Sequence, residues 1–150
     1  MGLSKTKGPA LIIFGDILFS EKLFDGVNFN SSFVIYDDNK YRENEIGFND
    51  RDGKVLRFGY GLPKIWSHIV FLDNHEKKLF LKAMKLAHSK KMLCFEILNW
   101  ILDNGGNFNS VNAKTMPVLE VDNQKDLEYA RENIKFLEKE IIPIESFMLI

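Results

Sequence analysis

Three short apolar runs, each broken off by glycine or by acids, constrain this chain more than any other feature. Ala10-Leu-Ile-Ile-Phe14 stops at Gly15-Asp16, Ser32-Phe-Val-Ile-Tyr36 at Asp37-Asp38-Asn39-Lys40, and Trp66-Ser-His-Ile-Val-Phe-Leu72 at Asp73-Asn74. Runs this short and this continuously apolar suit strands buried on both faces, which need other structure packed above and below them. Helical stretches supply that cover. Asp73 or Asn74 can cap a helix through about His88, with Leu79, Phe80, Ala83, Met84, Leu86 and Ala87 on its apolar face. A second helix is predicted from about Leu93 to Asp103, ended by Asn104-Gly105-Gly106. A third runs from Lys125 to about Glu140, capped by Asp122 or Asn123, with Leu127, Ala130, Ile134 and Leu137 inward and Pro143 as its stop.

Smaller signals fill the gaps. Ser20 can cap a short helix from Glu21 to about Asp25, closed by Gly26. Glu45–Asn49 and Lys54–Phe58 flank Asp50-Arg51-Asp52-Gly53, a hairpin signal because glycine accepts positive φ without a Cβ clash. Phe108–Lys114 and Val118–Val121 are further strand candidates, and Ile144–Ile150 is an apolar tail without an assigned partner. Strands interleaved with helices argue for an α/β sheet rather than a sandwich.

Composition narrows the class. The 150 residues include 45% hydrophobic side chains and 13 Phe, 4 Tyr and 2 Trp, enough to bury one core, so residues 1–150 read as one domain. Twenty basic against 21 acidic residues leave a formal charge of -1, which removes the electrostatic case for a nucleic-acid binder. Cys94 is alone and cannot form an internal disulfide; in an apolar helix it reads as a small core residue. No apolar run approaches the ~18 residues of a membrane helix, and the N-terminus carries no signal-peptide core. A cytoplasmic chain that does not enter a membrane is the expectation.

Two places could carry chemistry because acids sit where strands end. Asp16 follows its run directly after a glycine, and ligands of open α/β sheets gather at the carboxyl ends of strands. Alternation along Glu120-Val121-Asp122 puts both carboxylates on one face. Oxygen ligands gathered from several short loops are what a hard divalent cation such as Mg2+ requires. The plainer alternative makes Asp122 a helix cap and Glu120 a solvated edge residue.

These residues resemble a family. Leu11-Ile-Ile-Phe-Gly-Asp-Ile-Leu-Phe19 is similar to the metal-binding strand of the sugar-nucleotidyltransferase-like superfamily, and Leu119-Glu-Val-Asp-Asn-Gln-Lys-Asp-Leu-Glu-Tyr-Ala-Arg131 to its closing signature. Asp52-Gly53-Lys-Val-Leu and Trp66–Leu72 fall between them in the same order, so the resemblance covers about residues 10–137. The branch it points to comprises cytidylyltransferases that load phosphocholine or aminoethylphosphonate, with MobA-like and sugar-phosphate relatives. The resemblance implies a partial Rossmann-like nucleotidyltransferase sheet, mixed and mostly parallel, with a β-hairpin insertion and flanking helices. It also implies a reaction: a phosphate or phosphonate oxygen attacks the α-phosphorus of a nucleoside triphosphate and releases pyrophosphate. Asp16, Glu120 and Asp122 would be the carboxylates holding Mg2+.

One departure shapes the functional expectation. The family opens with a Gly-rich, Arg- and Lys-bearing loop that wraps the triphosphate, and here Gly2-Leu-Ser-Lys-Thr-Lys-Gly-Pro follows no strand. Gly59-Tyr-Gly61 and Asn104-Gly-Gly106 read as turns. The chain is therefore expected to be the acceptor-side portion of such an enzyme, inactive alone and completed by a companion chain or by homo-oligomerisation, acting on a small phosphorylated substrate. The alternative is a non-catalytic binding protein that kept the fold.

Other side chains have two readings each. Trp66, Tyr60 and Phe58 could cage a quaternary ammonium group, with Glu96 facing the same cation, or the aromatics are ordinary core. Lys85, His88, Lys90 and Lys91 form either a basic patch or a solvated helix end. His68, His75 and His88 lack zinc-ligand spacing and have no cysteine partners.

Overall fold

The apolar runs become the strands around which the rest packs. A computed structural model describes residues 3, 6–38, 44–114 and 118–137, without side-chain placement for residues 21, 87–90 and 133–137. In chain order its elements are β1 (Ala10–Ile13), β2 (Ile17–Leu18), a 3-10 turn (Glu21–Phe24), β3 (Phe33–Asp37), β4 (Ile46–Arg51), β5 (Lys54–Tyr60) and β6 (Lys64–Leu72). There follow α1 (Asn74–Lys90), α2 (Cys94–Asp103), β7 (Asn109–Asn112), β8 (Leu119–Glu120) and α3 (Gln124–Leu137). The expected end of the last helix near Glu140, its Pro143 stop and the apolar tail 144–150 lie outside the described residues.

Six strands form one sheet in the order β1-β6-β3-β7-β5-β4, and β4 also pairs with the start of β6. The pairings β6–β3–β7–β5–β4–β6 thus close a ring, with β1 attached outside it along β6. The mixed α/β class matches the sequence expectation, but the balance of directions is reversed. Only β3 and β7 run parallel; the other pairs in the sheet are antiparallel. The reason is connection length. A parallel neighbour needs a long crossover, and the segment through β4, β5, β6, α1 and α2 provides the one that separates β3 from β7. By contrast, β4 and β5 are joined at Asp52-Gly53, whose φ values of 50° and 75° make the tight turn that an antiparallel hairpin requires.

Every residue of β3 is buried, as a strand covered on both faces must be. Its alternation divides the interior. Val34 and Tyr36 join Phe48, Phe58, Trp66, Val70 and Leu72 in the core that α1 and α2 cover through Phe80, Ala83, Ile97, Leu98 and Ile101. Phe33 and Ile35 face the other way, with Ile69, Phe71, Ile17, Leu23, Ala113 and Val118. Cys94 packs against the first of these cores, and burial pushes its thiol up to about 11.

The ring is closed least firmly at β5, whose pairing with β7 is limited to Lys54 opposite Asn109. Further along that edge, Asn99 of α2 takes the place of a neighbouring strand. Its buried side-chain oxygen accepts from the Phe58 N–H at 2.8 Å, and its amide nitrogen donates to the Phe58 carbonyl at 3.0 Å. A side-chain amide here does what a backbone peptide does elsewhere in the sheet. Asn99→Leu would leave both Phe58 groups buried without partners, at about 1–3 kcal/mol each when no water replaces the amide. A lower urea midpoint, equivalent to about 2–4 kcal/mol, is the expected outcome of equilibrium unfolding.

Candidate metal centre

Two residue pairs bring the distant ends of the chain together. β2 and β8 pair antiparallel, with Ile17 opposite Glu120 and Leu18 opposite Leu119. The Val121 N–H extends this ribbon by donating to the Asp16 carbonyl at 2.9 Å. Ile17 and Leu119 lie on opposite faces of the ribbon and both are buried, so packing anchors it from two sides. As a result one carboxylate oxygen from each of Asp16, Glu120 and Asp122 lies within 4.8 Å of the others. Asp16 and Asp122 are exposed and Glu120 is half-buried.

The competing roles for these acids are filled by other residues. Asn123 caps α3: its side-chain oxygen accepts from the N–H groups of Lys125 at 2.9 Å and Asp126 at 3.2 Å. Asp126 reaches back to accept from the Asp122 N–H at 3.2 Å and from the Asn123 amide at 2.7 Å. The start of the helix is satisfied without the Asp122 carboxylate.

Glu120 and Asp122, with Asp16 beside them, stand at a cleft of about 280 Å³ whose walls also include Trp66, Ser67, His68 and Tyr129. Asp37, Glu45 and Asp126 add three more carboxyl groups, and no described lining residue is Lys or Arg. The concentration of charge is felt at Glu120. Burial raises its carboxyl above the ordinary carboxylate value; His68 opposes the rise, and Asp122, Glu45 and Asp16 add to it. Hard oxygen donors crowded at the rim of a cleft fit a small divalent cation that keeps part of its water shell.

A residue that spacing set aside enters here. His68 lies in β6, where Ile35 of β3 faces the three residues Ser67, His68 and Ile69 because the register shifts between Val34 and Tyr36. At φ 55° its backbone leaves the extended region, and its Nδ1 lies 3.0 Å from Oε1 of Glu120. A break in pairing inside a buried strand is not visible as periodicity, so sequence spacing carried no signal for it.

The predicted cation cage does not assemble as one site. Trp66 lines the cleft, but its ring is core: 2% exposed, packed against Phe58 and Phe14, with its indole N–H donating to the Ile69 carbonyl at 3.2 Å. Phe58 is equally a core residue. Tyr60 is exposed at the end of β5, where its ring meets Phe95 at 5.5 Å. Glu96 folds back onto the start of α2 and accepts from the Leu93 N–H at 2.6 Å, the role its position three residues into the helix favours. Neither Tyr60 nor Glu96 lines the cleft. Of the basic cluster, Lys85 and Lys91 are exposed, while the side chains of His88 and Lys90 lie outside the described set.

No family model and no curated protein matches the sequence. Solved structures do, and they define the class: the chain has the fold of sugar-phosphate nucleotidyltransferases and cytidylyltransferases. An inositol-1-phosphate CTP transferase from T. maritima superposes with a TM-score of 0.67 at 10% identity, covering 91% of this chain and 59% of that one. A CTP:phosphocholine cytidylyltransferase from Streptococcus pneumoniae gives 0.63 at 18% identity, with 83% and 57% covered. A protein described as a glucose-1-phosphate thymidylyltransferase from Bacillus anthracis gives 0.63 at 16% identity, with 83% and 54% covered. The chain spans less than two thirds of each of these proteins. Among the described residues no helix is long and apolar enough to cross a membrane.

Mutual repulsion within the cluster has a measurable consequence. Without divalent cations, Asp122→Asn removes one like charge and is expected to raise the melting temperature by about 1–2 °C. A fall in melting temperature, followed by differential scanning calorimetry in EDTA, would show that Asp122 serves the fold instead.

Proposed function

We propose that this chain is the metal-binding, acceptor-side portion of a Mg2+-dependent nucleotidyltransferase. In the proposed reaction an oxygen of a phospho-alcohol, phosphonate or sugar phosphate attacks the α-phosphorus of a nucleoside triphosphate. The bond to the bridging oxygen breaks and pyrophosphate leaves. The observation that carries this reading is the convergence of Asp16 with Glu120 and Asp122, on a fold shared with enzymes named for this chemistry.

Asp16, Glu120 and Asp122 would hold the cation, while the exposed Tyr129 gives the cleft an aromatic wall against which an acceptor can lie. When bound, Mg2+ neutralises charge on phosphate oxygens and helps align them. The remaining residues position the reactants and exclude water rather than form covalent bonds. The described cleft walls contribute five carboxyl groups, with Asp16 beside them, but no Lys or Arg, so basic groups for the triphosphate must come from elsewhere. Lys40 and Arg42, between Asp37 and Glu45 in sequence, lie outside the described residues. The proposal therefore includes a companion that supplies the phosphate-binding half, either a separate chain or a second copy of this one.

Pyrophosphate release with Mg2+, CTP and phosphocholine or aminoethylphosphonate tests the reading. The chain alone is expected to match its Asp16→Asn variant at background. Adding the nucleotide-binding half of a complete transferase in trans should give turnover that Asp16→Asn lowers at least about a hundredfold, the scale of several kcal/mol of lost charge stabilisation. Absence of both turnover and Mg2+-dependent nucleotide binding in that mixture would replace this reading with that of a non-catalytic binding protein.

A further inference from the structure

We infer that His68 is a positioning residue for the proposed cation site, acting through Glu120 rather than on the cation itself; this inference rests on the function proposed above. His68 sits where β6 departs from regular pairing, and its φ of 55° is a conformation that a branched-ring residue adopts only at a cost of about 1–2 kcal/mol. The surrounding structure over-determines that conformation. The His68 carbonyl accepts from the Phe14 N–H at 3.3 Å, which continues the β1 pairing past Ile13 and Ile69. Its ring is held between Phe14, at 5.2 Å between centroids, and Trp66, at 4.8 Å and nearly perpendicular. Trp66 is itself locked by the hydrogen bond from its indole to Ile69.

A ring fixed on two sides can deliver its Nδ1 to one place, and that place is Oε1 of Glu120 at 3.0 Å. Glu120 needs such a partner. It belongs to a two-residue strand, is half-buried, and stands among Asp16, Asp122 and Glu45, all of which repel it. A glutamate side chain under that repulsion would swing away from its neighbours. The His68 Nδ1 lying 3.0 Å from one of its oxygens favours the position in which the carboxyl group stays with Asp16 and Asp122 before any cation arrives. Outer partners of this kind orient ligating groups and typically change metal affinity by 10–100-fold when removed.

Two substitutions separate the Nδ1 contact from the ring. His68→Phe keeps an aromatic ring between Phe14 and Trp66 but has no donor. His68→Asn loses the ring, carries an amide nitrogen at nearly the position of Nδ1, and tolerates positive φ better than most residues. Mn2+ titrated into the intact chain, with free Mn2+ read by electron paramagnetic resonance, is the probe. The wild type should bind one Mn2+, Asp16→Asn should abolish binding, His68→Phe should weaken it about tenfold, and His68→Asn should stay within about threefold of the wild type. Melting temperatures measured alongside would show whether each variant is folded.

A spectroscopic readout needs no metal. Long-range 1H–15N spectra of the imidazole should show His68 Nδ1 carrying a proton. A bare Nδ1 overturns the proposal outright. Equal Mn2+ affinity in wild type and His68→Phe overturns it while leaving the cation site standing, and equal weakening in both His68 variants assigns His68 to packing. Failure of the wild type to bind Mn2+ would remove the cation site and this proposal together.

Discussion

The two-residue ribbon of β2 and β8 is the constraint on which the candidate site depends. Two strands of two residues each have almost no stability of their own, since an isolated hairpin many times longer is marginal in water. What holds this ribbon is the packing of Ile17, together with the neighbouring Val118, in the second core with Phe33, Ile35, Ile69 and Phe71, and the burial of Leu119. The apolar residues of the ribbon therefore decide where its acids stand. Asp16 and Glu120 are separated by more than a hundred residues of chain, yet their separation in space is set by the packing of Ile17 and Leu119.

That dependence explains why the site can afford its electrostatics. Gathering Asp16, Glu120 and Asp122 at the rim of a cleft, with Asp37, Glu45 and Asp126 in its walls, opposes folding through like-charge repulsion. The positive φ of His68 adds a further local cost. Both are tolerable because the sheet has a core on each face, with β3 buried along its whole length. Strain and repulsion meet where β6 breaks its pairing with β3.

The parts of this architecture that were legible in sequence are those written in local pattern. The apolar runs at Ser32–Tyr36 and Trp66–Leu72 announced strands covered on both sides, and Asp52-Gly53 announced the hairpin. Ala10–Phe14 announced a strand but not its place at the sheet edge, where Leu11 is exposed and none of the residues of β1 is fully buried. Helix starts were legible because capping chemistry is local: Asp73 accepts from the N–H groups of His75 and Glu76 as its position suggested. Strand direction was not legible, because it depends on which runs neighbour one another, and that is decided by connection lengths across the whole chain. Glu96 was misread for a related reason. A carboxylate near a helix start is attracted to the free N–H groups beside it, and this local bond to Leu93 takes precedence over a distant cationic ligand. Asp37 carries the same sequence signal as Asp16, an acid closing an apolar run, and it lines the cleft. His68 had no local signature at all, since the irregularity that aims it is a property of two strands and not of one.

Charge distribution carries the remaining step. The chain is nearly neutral overall, with 20 basic and 21 acidic residues, so an acidic cleft cannot be a by-product of an acidic protein. Its basic residues are spent elsewhere: Lys64 on Asp50 at 2.8 Å, Arg57 on Asp103 at 3.1 Å, and buried Lys77 on the carbonyl groups of Thr6 and Gly8. The Asp50 carboxyl shows what ordinary pairing does. Burial would raise it, but hydrogen bonds from Lys64 and Ser110 more than compensate and hold it below its usual value. Glu120 is the opposite case, left above its usual value because burial and three carboxylates outweigh the opposing effect of His68. Two acids in one molecule, both partly buried, thus end on opposite sides of the same reference, and the difference is whether a permanent cation was provided by the fold. At Asp50 the fold supplies a lysine. At Glu120 a permanent cation would have to come from outside the described residues, and this is the electrostatic basis for reading the cleft as a place where a charged ligand completes the structure.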